Sequence, residues 1–430
     1  MMIARPTPAA AYGDNDRLAD DLMSSAVDLT ASNLRTQLRG LPIKARLALR
    51  AAMKLPCGSL AVRLPDGRIL RVGGNAPGPE AVAVLHNWKL PRKALTASTI
   101  GVAESYMDGD WESPDVTTFL ELFVANKKLH HQIARGSRLF SAFNGFVHWL
   151  NRNTPTRARK NISAHYDLGN DFYARWLDPS MTYSSALFRD GANDLELAQA
   201  AKYRALADAA GIGPGDHVLE IGCGWGGFAE FAAREIGCRV TGLTISREQL
   251  DFARERIRRA GLSDRVDLEF RDYRDETETY DKVVSIEMFE AVGEEYWPAF
   301  FSKLRDVMKP GGRAGLQVIT ISERAFPEYR ANPDFIQRYI FPGGMLPTAK
   351  IMREKTAEHG LSIAGETAFG RDYGRTLRIW RERFLDAWPE LAPLGFDERF
   401  RRMWEFYLHY CEAGFRQGLI DVRQVIYERA

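Results

Sequence analysis

Two rhythms of hydrophobic and polar positions divide the chain. In the first part, Leu60 to Val72 (LAVRLPDGRILRV) has the two-residue alternation of half-buried strands on either side of a Pro65-Asp66-Gly67 turn. Gly73 to Pro79 reads as a Gly/Pro-rich loop, Ala81 to Leu85 as another strand and Thr99 to Tyr106 as a helix. Asn126 to Lys160 is basic and partly helical in pattern, and it breaks at Asn151 to Thr156, a linker-like run. A domain boundary is therefore expected near residue 155, dividing the chain into 1–155 and 156–430. Beyond it the pattern alternates. Helices are predicted at Leu195 to Ala210, Gly227 to Ile236, Arg247 to Ala260 and Tyr296 to Met308. Strands are predicted at His217 to Ile221, Arg239 to Thr244, Val266 to Phe270, Lys282 to Ile286 and Arg313 to Ile321. Alternation at this spacing predicts an α/β fold with a doubly wound, Rossmann-like parallel sheet, preceded by a smaller α+β domain.

Composition changes this picture in one respect. Of 430 residues, 45% are hydrophobic and 27% charged, a soluble globular balance that excludes a mostly disordered chain. Mean hydropathy is −0.30, and no apolar run approaches the roughly 18 residues that span a bilayer. The first residues lack a secretory pattern, and four scattered cysteines form no CxxC pair, so a reducing cytoplasm is expected. No His/Asp/Cys group has ligand spacing, so no metal is expected. The formal charge of +2, however, hides an asymmetry. Residues 1–160 hold 22 Lys/Arg against 13 Asp/Glu, a net of +9, which leaves −7 for residues 161–430. The densest basic run holds Arg35, Arg39, Lys44, Arg46, Arg50 and Lys54, interleaved with leucines and free of acids. Such a stretch attracts anionic lipid headgroups or nucleic acid; the plainer alternative is a solvated helix face.

The candidate chemistry begins where strand HVLEI runs into Gly222-Cys223-Gly224-Trp225-Gly226-Gly227 and then a helix. Glycines there allow a tight turn and close backbone approach to a ligand. The spacing satisfies the dinucleotide fingerprint, but a NAD site wants an acid at the end of the second strand, where this chain has Gly242-Leu243-Thr244-Ile245-Ser246. With Glu220 on the preceding strand, the run resembles motif I of S-adenosylmethionine (SAM) methyltransferases. Met308-Lys309-Pro310-Gly311-Gly312 resembles their later turn.

Longer segments narrow the resemblance. His165 to Tyr173 (HYDLGNDFY), Met181 to Ser185, Leu219 to Ala229, Gly242 to Gln249, Arg271 to Asp275, Ser285 to Gly293 (SIEMFEAVG), Arg338 to Pro347, Phe369 to Trp380 and Phe415 to Gln424 follow in order. Together they resemble the cyclopropane fatty acid synthases and mycolic acid methyltransferases. Gly101 to Leu122 looks like the N-terminal domain of the longer synthases. The resemblance implies SAM held by Glu220, Gly222, Gly224 and Gly226 at its methionine end, with Tyr183 and Ser184 closing over it. Thr244 and Gln249 would be ribose partners, and Tyr273 and Arg274 would lie at the adenine. For Tyr183 and Tyr273 the alternative is ordinary aromatic core.

The acceptor implied by the resemblance is the double bond of an unsaturated fatty acyl chain on a phospholipid. Methylating an alkene leaves a carbocation that must lose a proton, so the site needs an anionic stabiliser and a base. Cyclopropane-forming relatives hold bicarbonate there. Its ligand positions fall on Glu290, Tyr373 and the backbone of Ile319, with Ser185 replacing a Cys and Gln317 replacing a His. Either neutral donors bind bicarbonate, or Glu290 takes the proton itself; a methyl- or methylene-branched product is expected in preference to a ring. Phe335, Tyr339 and Phe341 are candidates for the acyl-chain wall, plain packing being the alternative. His165 is expected to anchor a helix over the cofactor, and Asp167 and Asp171 to cap or solvate one. The resemblance also admits a homodimer, and the basic N-terminal part implies peripheral attachment to the anionic inner face of a membrane, with no nucleic-acid partner. Competing readings are a true cyclopropane synthase, a small-molecule N-methyltransferase and a lipid-binding protein without activity.

Overall fold

The computed structural model describes residues 8–126, 168–189 and 194–429. It divides into two compact units, Met1–Asn144 with Arg381–Gln417, and Gly145–Trp380 with Gly418–Ala430. The linker expected near residue 155 lies outside the described residues. The stretch 156–430 is interrupted in space, because residues 381–417 join the first unit.

The first unit is built on a five-stranded sheet in the order β1-β3-β2-β4-β5: β1 (Val27–Asp28), β2 (Cys57–Arg63), β3 (Ile69–Gly73), β4 (Ala76–Leu85) and β5 (Trp111–Glu112). The Pro65-Asp66-Gly67 turn closes the β2–β3 hairpin, with Gly67 at φ +88°. The loop predicted at 73–79 is shorter than expected, because β4 already begins at Ala76. Gly74 and Gly78 let β2 approach closely: a Cβ on either would lie within 3 Å of the backbone at Cys57 or Gly58. The helix predicted at 99–106 extends over Lys89–Met107. Leu22, Ala61, Val82 and Val84 form a core under the sheet. The aromatic run Trp404 to Tyr410 lies on the helix Glu398–Arg416, where Trp404, Phe406, Tyr407 and Leu408 are buried as core.

The second unit carries a seven-stranded sheet: β6 (His217–Ile221), β7 (Arg239–Thr244), β8 (Val266–Phe270), β9 (Tyr280–Ile286), β10 (Met308–Ile321), β11 (Leu361–Ala368) and β12 (Ile420–Arg429). The order is β11-β12-β10-β9-β6-β7-β8. Strands β6 to β10 pair in parallel, and β12 runs antiparallel between β10 and β11. The predicted strand bounds recur for β6, β7 and β8: β6 and β7 are buried almost throughout and read as short apolar runs, and β8, at the sheet edge, alternates. The helix predicted at 227–236 is α-helical to Phe231 and then opens into a π turn over Ala232–Ile236. Apolar side chains fill both faces of the sheet, Phe300, Leu304 and Leu316 on one and Leu206, Phe228 and Val240 on the other. No helix among the described residues is long and apolar enough to cross a membrane.

Candidate active site

The site lies at the carboxyl ends of β6, β7, β9 and β10, where an open parallel sheet places its ligands. After β6 the backbone needs glycine for distinct reasons. Gly222 has φ +82°, and a Cβ there would meet the Met288 side chain at 2.7 Å. Gly226, at φ +80°, packs against Ala253. Gly224, at φ +51°, has nothing within 4 Å of the place its Cβ would occupy, so its backbone is the part of the loop a ligand can approach. Glu220 is buried at 3% exposure and its Oε2 has no hydrogen-bond partner, a carboxylate oxygen left for a ligand to satisfy. Burial pushes its pKa well above the usual range, and buried Lys202 pulls the other way.

The other proposed cofactor residues gather at neighbouring strand ends. Thr244 and Gln249 are both buried and hydrogen-bonded to each other at 3.3 Å. Asp272 holds Arg274 through bonds of 2.9 and 2.6 Å, and the Tyr273 ring packs 5.5 Å from Phe300. Tyr183 sits half-buried among Tyr173, Trp176 and Trp380, with centroids 5.2 to 5.7 Å away. Ser184 is fixed from the helix Leu195–Ala210: the Gln199 amide donates to its carbonyl at 2.9 Å, and the Lys202 ammonium donates to its hydroxyl. The glycine loop, the orphaned Glu220 oxygen and this ring of strand-end residues fit SAM. His165 and Asp167 lie outside the described residues, and Asp171 sits in the first turn of the short helix Asn170–Ala174.

The polar centre is organised by Glu287, a residue the sequence reading passed over. One oxygen, Oε1, accepts the Ser185 backbone N–H at 2.9 Å and the Gln317 amide at 2.7 Å. The other accepts the Tyr373 hydroxyl at 2.6 Å. Glu287 stands at the end of β9 with φ +51°, one of two non-glycine residues with positive φ among those described; the other is Met181, which opens the Tyr183–Ser185 loop. Such strain persists where the surroundings impose it, and it gathers at functional sites. Ser185 contributes its backbone, because its hydroxyl donates to the Ala186 carbonyl. Gln424 of β12 braces Gln317 at 3.1 Å and also donates to the Lys202 carbonyl.

Glu290 lies one turn further on. Its Oε1 accepts the Ile319 N–H at 2.5 Å, while Oε2 is buried without a partner. Burial and the neighbouring Glu287 charge push Glu290 up to about 8. Burial also raises Glu287, but Lys202, Tyr373, Gln317 and Ser185 all oppose the shift. Within the pair, the Glu287 charge raises Glu290, while Lys202 and three hydrogen-bond donors favour the ionised form of Glu287. Lys202 itself, wholly buried, is lowered to about 8 by desolvation and held up by Glu287, Asp178 and Glu220. Lys202 and Gln424 were not singled out from the sequence. The signal for Lys202 was its place among Leu195, Ala198 and Leu206 on the buried stripe of a helix, where an apolar residue is the rule.

Phe335 is fully buried with its ring 5.5 Å from that of Tyr339, and Asp334 and Gln337 form a capping box on their short helix. The insertion that carries them returns to the site through Met345, whose N–H donates to the Glu290 carbonyl at 2.9 Å. Phe341 is half-buried in the same insertion.

The sheet order, the glycine loop at the end of β6 and the acidic and aromatic groups around it define a class I SAM-dependent methyltransferase, with S-adenosylmethionine as cofactor. The comparisons narrow the class. Residues 153–425 match the mycolic acid cyclopropane synthetase family. The chain is 39% identical to tuberculostearic acid methyltransferase UfaA1 of Mycobacterium tuberculosis, over 88% of this chain and 89% of that protein. It is 37% identical to the cyclopropane-fatty-acyl-phospholipid synthase of Escherichia coli K12, over 84% and 90%. Mycolic acid cyclopropane synthase CmaA1, solved with SAH and CTAB, superposes with a TM-score of 0.59 at 29% identity, covering 63% of this chain and 98% of that one. The chain belongs to the cyclopropane synthase family of SAM-dependent lipid methyltransferases.

Proposed function

We propose that the protein methylates the double bond of unsaturated acyl chains on phospholipids and releases a branched, still unsaturated chain, with Glu287 as its resident base. The observation that carries this reading is the Glu287 carboxylate bound by Ser185, Gln317 and Tyr373. These are three of the positions at which the family resemblance implies bicarbonate. Here their donors are already taken, and an ionised Glu287 would present negative charge to a second anion. Bicarbonate does not fit this site.

SAM, when bound by Glu220, Gly222, Gly224, Gly226, Thr244 and Gln249, supplies an electrophilic methyl group. The chain's own residues do the rest. Tyr183 and its aromatic neighbours keep water from the reacting alkene, a weak nucleophile. The cation left on the acyl chain is stabilised by ionised Glu287, whose hydrogen bonds hold it ready for charge that develops later. Glu287 then takes the proton. If the proton comes from a chain carbon, the product keeps an alkene beside a new methyl group; if a hydride first shifts from the methylated carbon to its cationic neighbour, loss of a methyl proton then gives a methylene branch. Neither outcome needs a reductant, whereas a saturated methyl branch would. Tyr373 and Gln317 hold the base, and protonated Glu290 avoids a second negative charge beside it. The similarity to a tuberculostearic acid methyltransferase supports a methyl branch.

The test is lipid analysis of cells expressing the protein with isotopically labelled methionine. A methylene branch and a cyclopropane are isomers, so mass alone does not separate them; proton NMR does, through vinylic against cyclopropyl resonances. Labelled vinylic or allylic methyl signals in phospholipid acyl chains are expected. Cyclopropyl signals would make the protein a cyclopropane synthase, and label in a small amine would overturn the lipid reading.

A further inference from the structure

We propose that the helix Ile43–Ala52 of the first unit docks on an anionic phospholipid bilayer, with Ile43 and Leu47 entering the headgroup layer and the surrounding cations meeting lipid phosphates. The choice of occupant rests on the lipid reading above; the surface stands on its own observations. The helix buries Ala45 and Leu49 on its inner side. Ile43 and Leu47, one turn apart, nevertheless point outward at 69% and 49% exposure. Ile43 is more exposed than any other large hydrophobic side chain among the described residues. Lys44 and Arg50 are exposed on the same helix, and Arg39 and Lys54 are exposed beside its two ends. From Leu29 to Pro65 there are seven Lys/Arg and no acid. An apolar pair inside a ring of cations is the surface of a helix that lies in the membrane interface.

Charge decides against two other occupants. A second copy seated through the same face would set basic against basic. Residues 127–167, the longest internal stretch outside the described residues, carry eight Lys/Arg and a single acid, Asp167. Lipid phosphate has the sign that both of these lack.

The experiment uses the full chain and vesicles of phosphatidylglycerol and phosphatidylcholine in equal parts, against vesicles of phosphatidylcholine alone. The protein is expected to sediment with the anionic vesicles and to be released by salt. K44Q/R50Q should weaken that binding roughly 30-fold, at about five-fold per charge near the surface, and I43S/L47S by about ten-fold or more. Unchanged thermal melting of both variants shows that exposed side chains alone were altered. Unchanged vesicle affinity in both variants overturns the proposal. So does light scattering that shows a wild-type dimer reduced to monomers by I43S/L47S, which would make a second copy the occupant. Methylation of unsaturated phospholipid in detergent micelles separates the two readings. If no acyl chain is methylated but vesicle binding through this helix persists, the substrate assignment fails and the docking face stands. If chains are methylated and the variants bind vesicles as before, the docking face alone fails.

Discussion

Each unit buries a cluster of charged and polar groups, and the two clusters are balanced in opposite ways. In the first unit, buried Arg381 is paired with Glu412, whose carboxylate also accepts the Thr117 hydroxyl at 3.1 Å. Thr117 meets His409 at 2.7 Å, and Arg416 bridges Glu412 and Glu121. Cation meets anion throughout. Burial and the Arg381 charge hold His409 well below its ordinary range, so it stays neutral and adds no third cation. The second unit gathers Glu220, Glu287 and Asp178 around buried Lys202, with Glu290 beside Glu287, and Glu220 and Glu290 each keep an oxygen without a partner. A matched cluster ties segments together, as this one ties residues 381–417 to the helix Val116–Ala125. An unmatched one holds carboxylates at raised pKa, which suits groups that exchange protons or await a ligand.

The comparison breaks most sharply at Glu287. Glu287→Gln keeps the shape of the site but removes the base, and turnover should fall on the order of 100- to 10,000-fold, the usual range for a general base. SAM affinity measured by calorimetry should stay near wild type. In the wild type, activity should disappear as pH falls through the raised Glu287 pKa, since only the ionised form accepts a proton. Equal activity of the variant would move the base elsewhere.

Arg381→Met is the matching experiment on the first unit. It leaves Glu412 buried without its main partner, and the expected cost is about 3 kcal/mol of stability in urea unfolding. A loss below about 1 kcal/mol would show that Arg416 and Thr117 suffice for Glu412.

Glu290→Gln is the smallest and the most informative about sign. The folded-state pKa of Glu290, about 8, lies above its ordinary value of 4.5. Its contribution to stability is therefore full below about 4.5 and is lost as pH rises towards 8. Gln can still accept the Ile319 N–H without carrying charge. The variant should match wild type near the low end of that window and gain on it progressively towards the upper end. Parallel pH profiles in thermal melts would show that Glu290 is already ionised.

What the sequence disclosed follows the same division. The parallel strands and the helices between them were readable because a strand covered on both faces is a short apolar run between turn signals. Ser185, Gln317, Tyr373, Glu290 and Ile319 were readable as a group through resemblance, and the fold brings them to one place. Glu287 was not, although it lies within SIEMFEAVG. Its role depends on a positive φ at a strand end, which residue type does not announce outside glycine and asparagine. The transfer of residues 381–417 to the first unit was hidden for a related reason. The helix Gly370–Leu391 runs across the division without a breaker there, so composition marks no boundary.

Strand β12 has a consequence for how the protein is made. It pairs with β10 on one side and β11 on the other, and β11 has no other neighbour in the sheet. It also follows every other strand of that sheet in the chain, and it delivers Gln424, the brace of Gln317. During synthesis β10 and β11 therefore emerge with open edges and wait for a partner that the ribosome supplies later, an interval in which exposed strands are prone to aggregate. Until β12 arrives, Gln317 lacks its brace, so a nascent chain stalled before Ile420 would have bound neither its final sheet edge nor its working carboxylate in place.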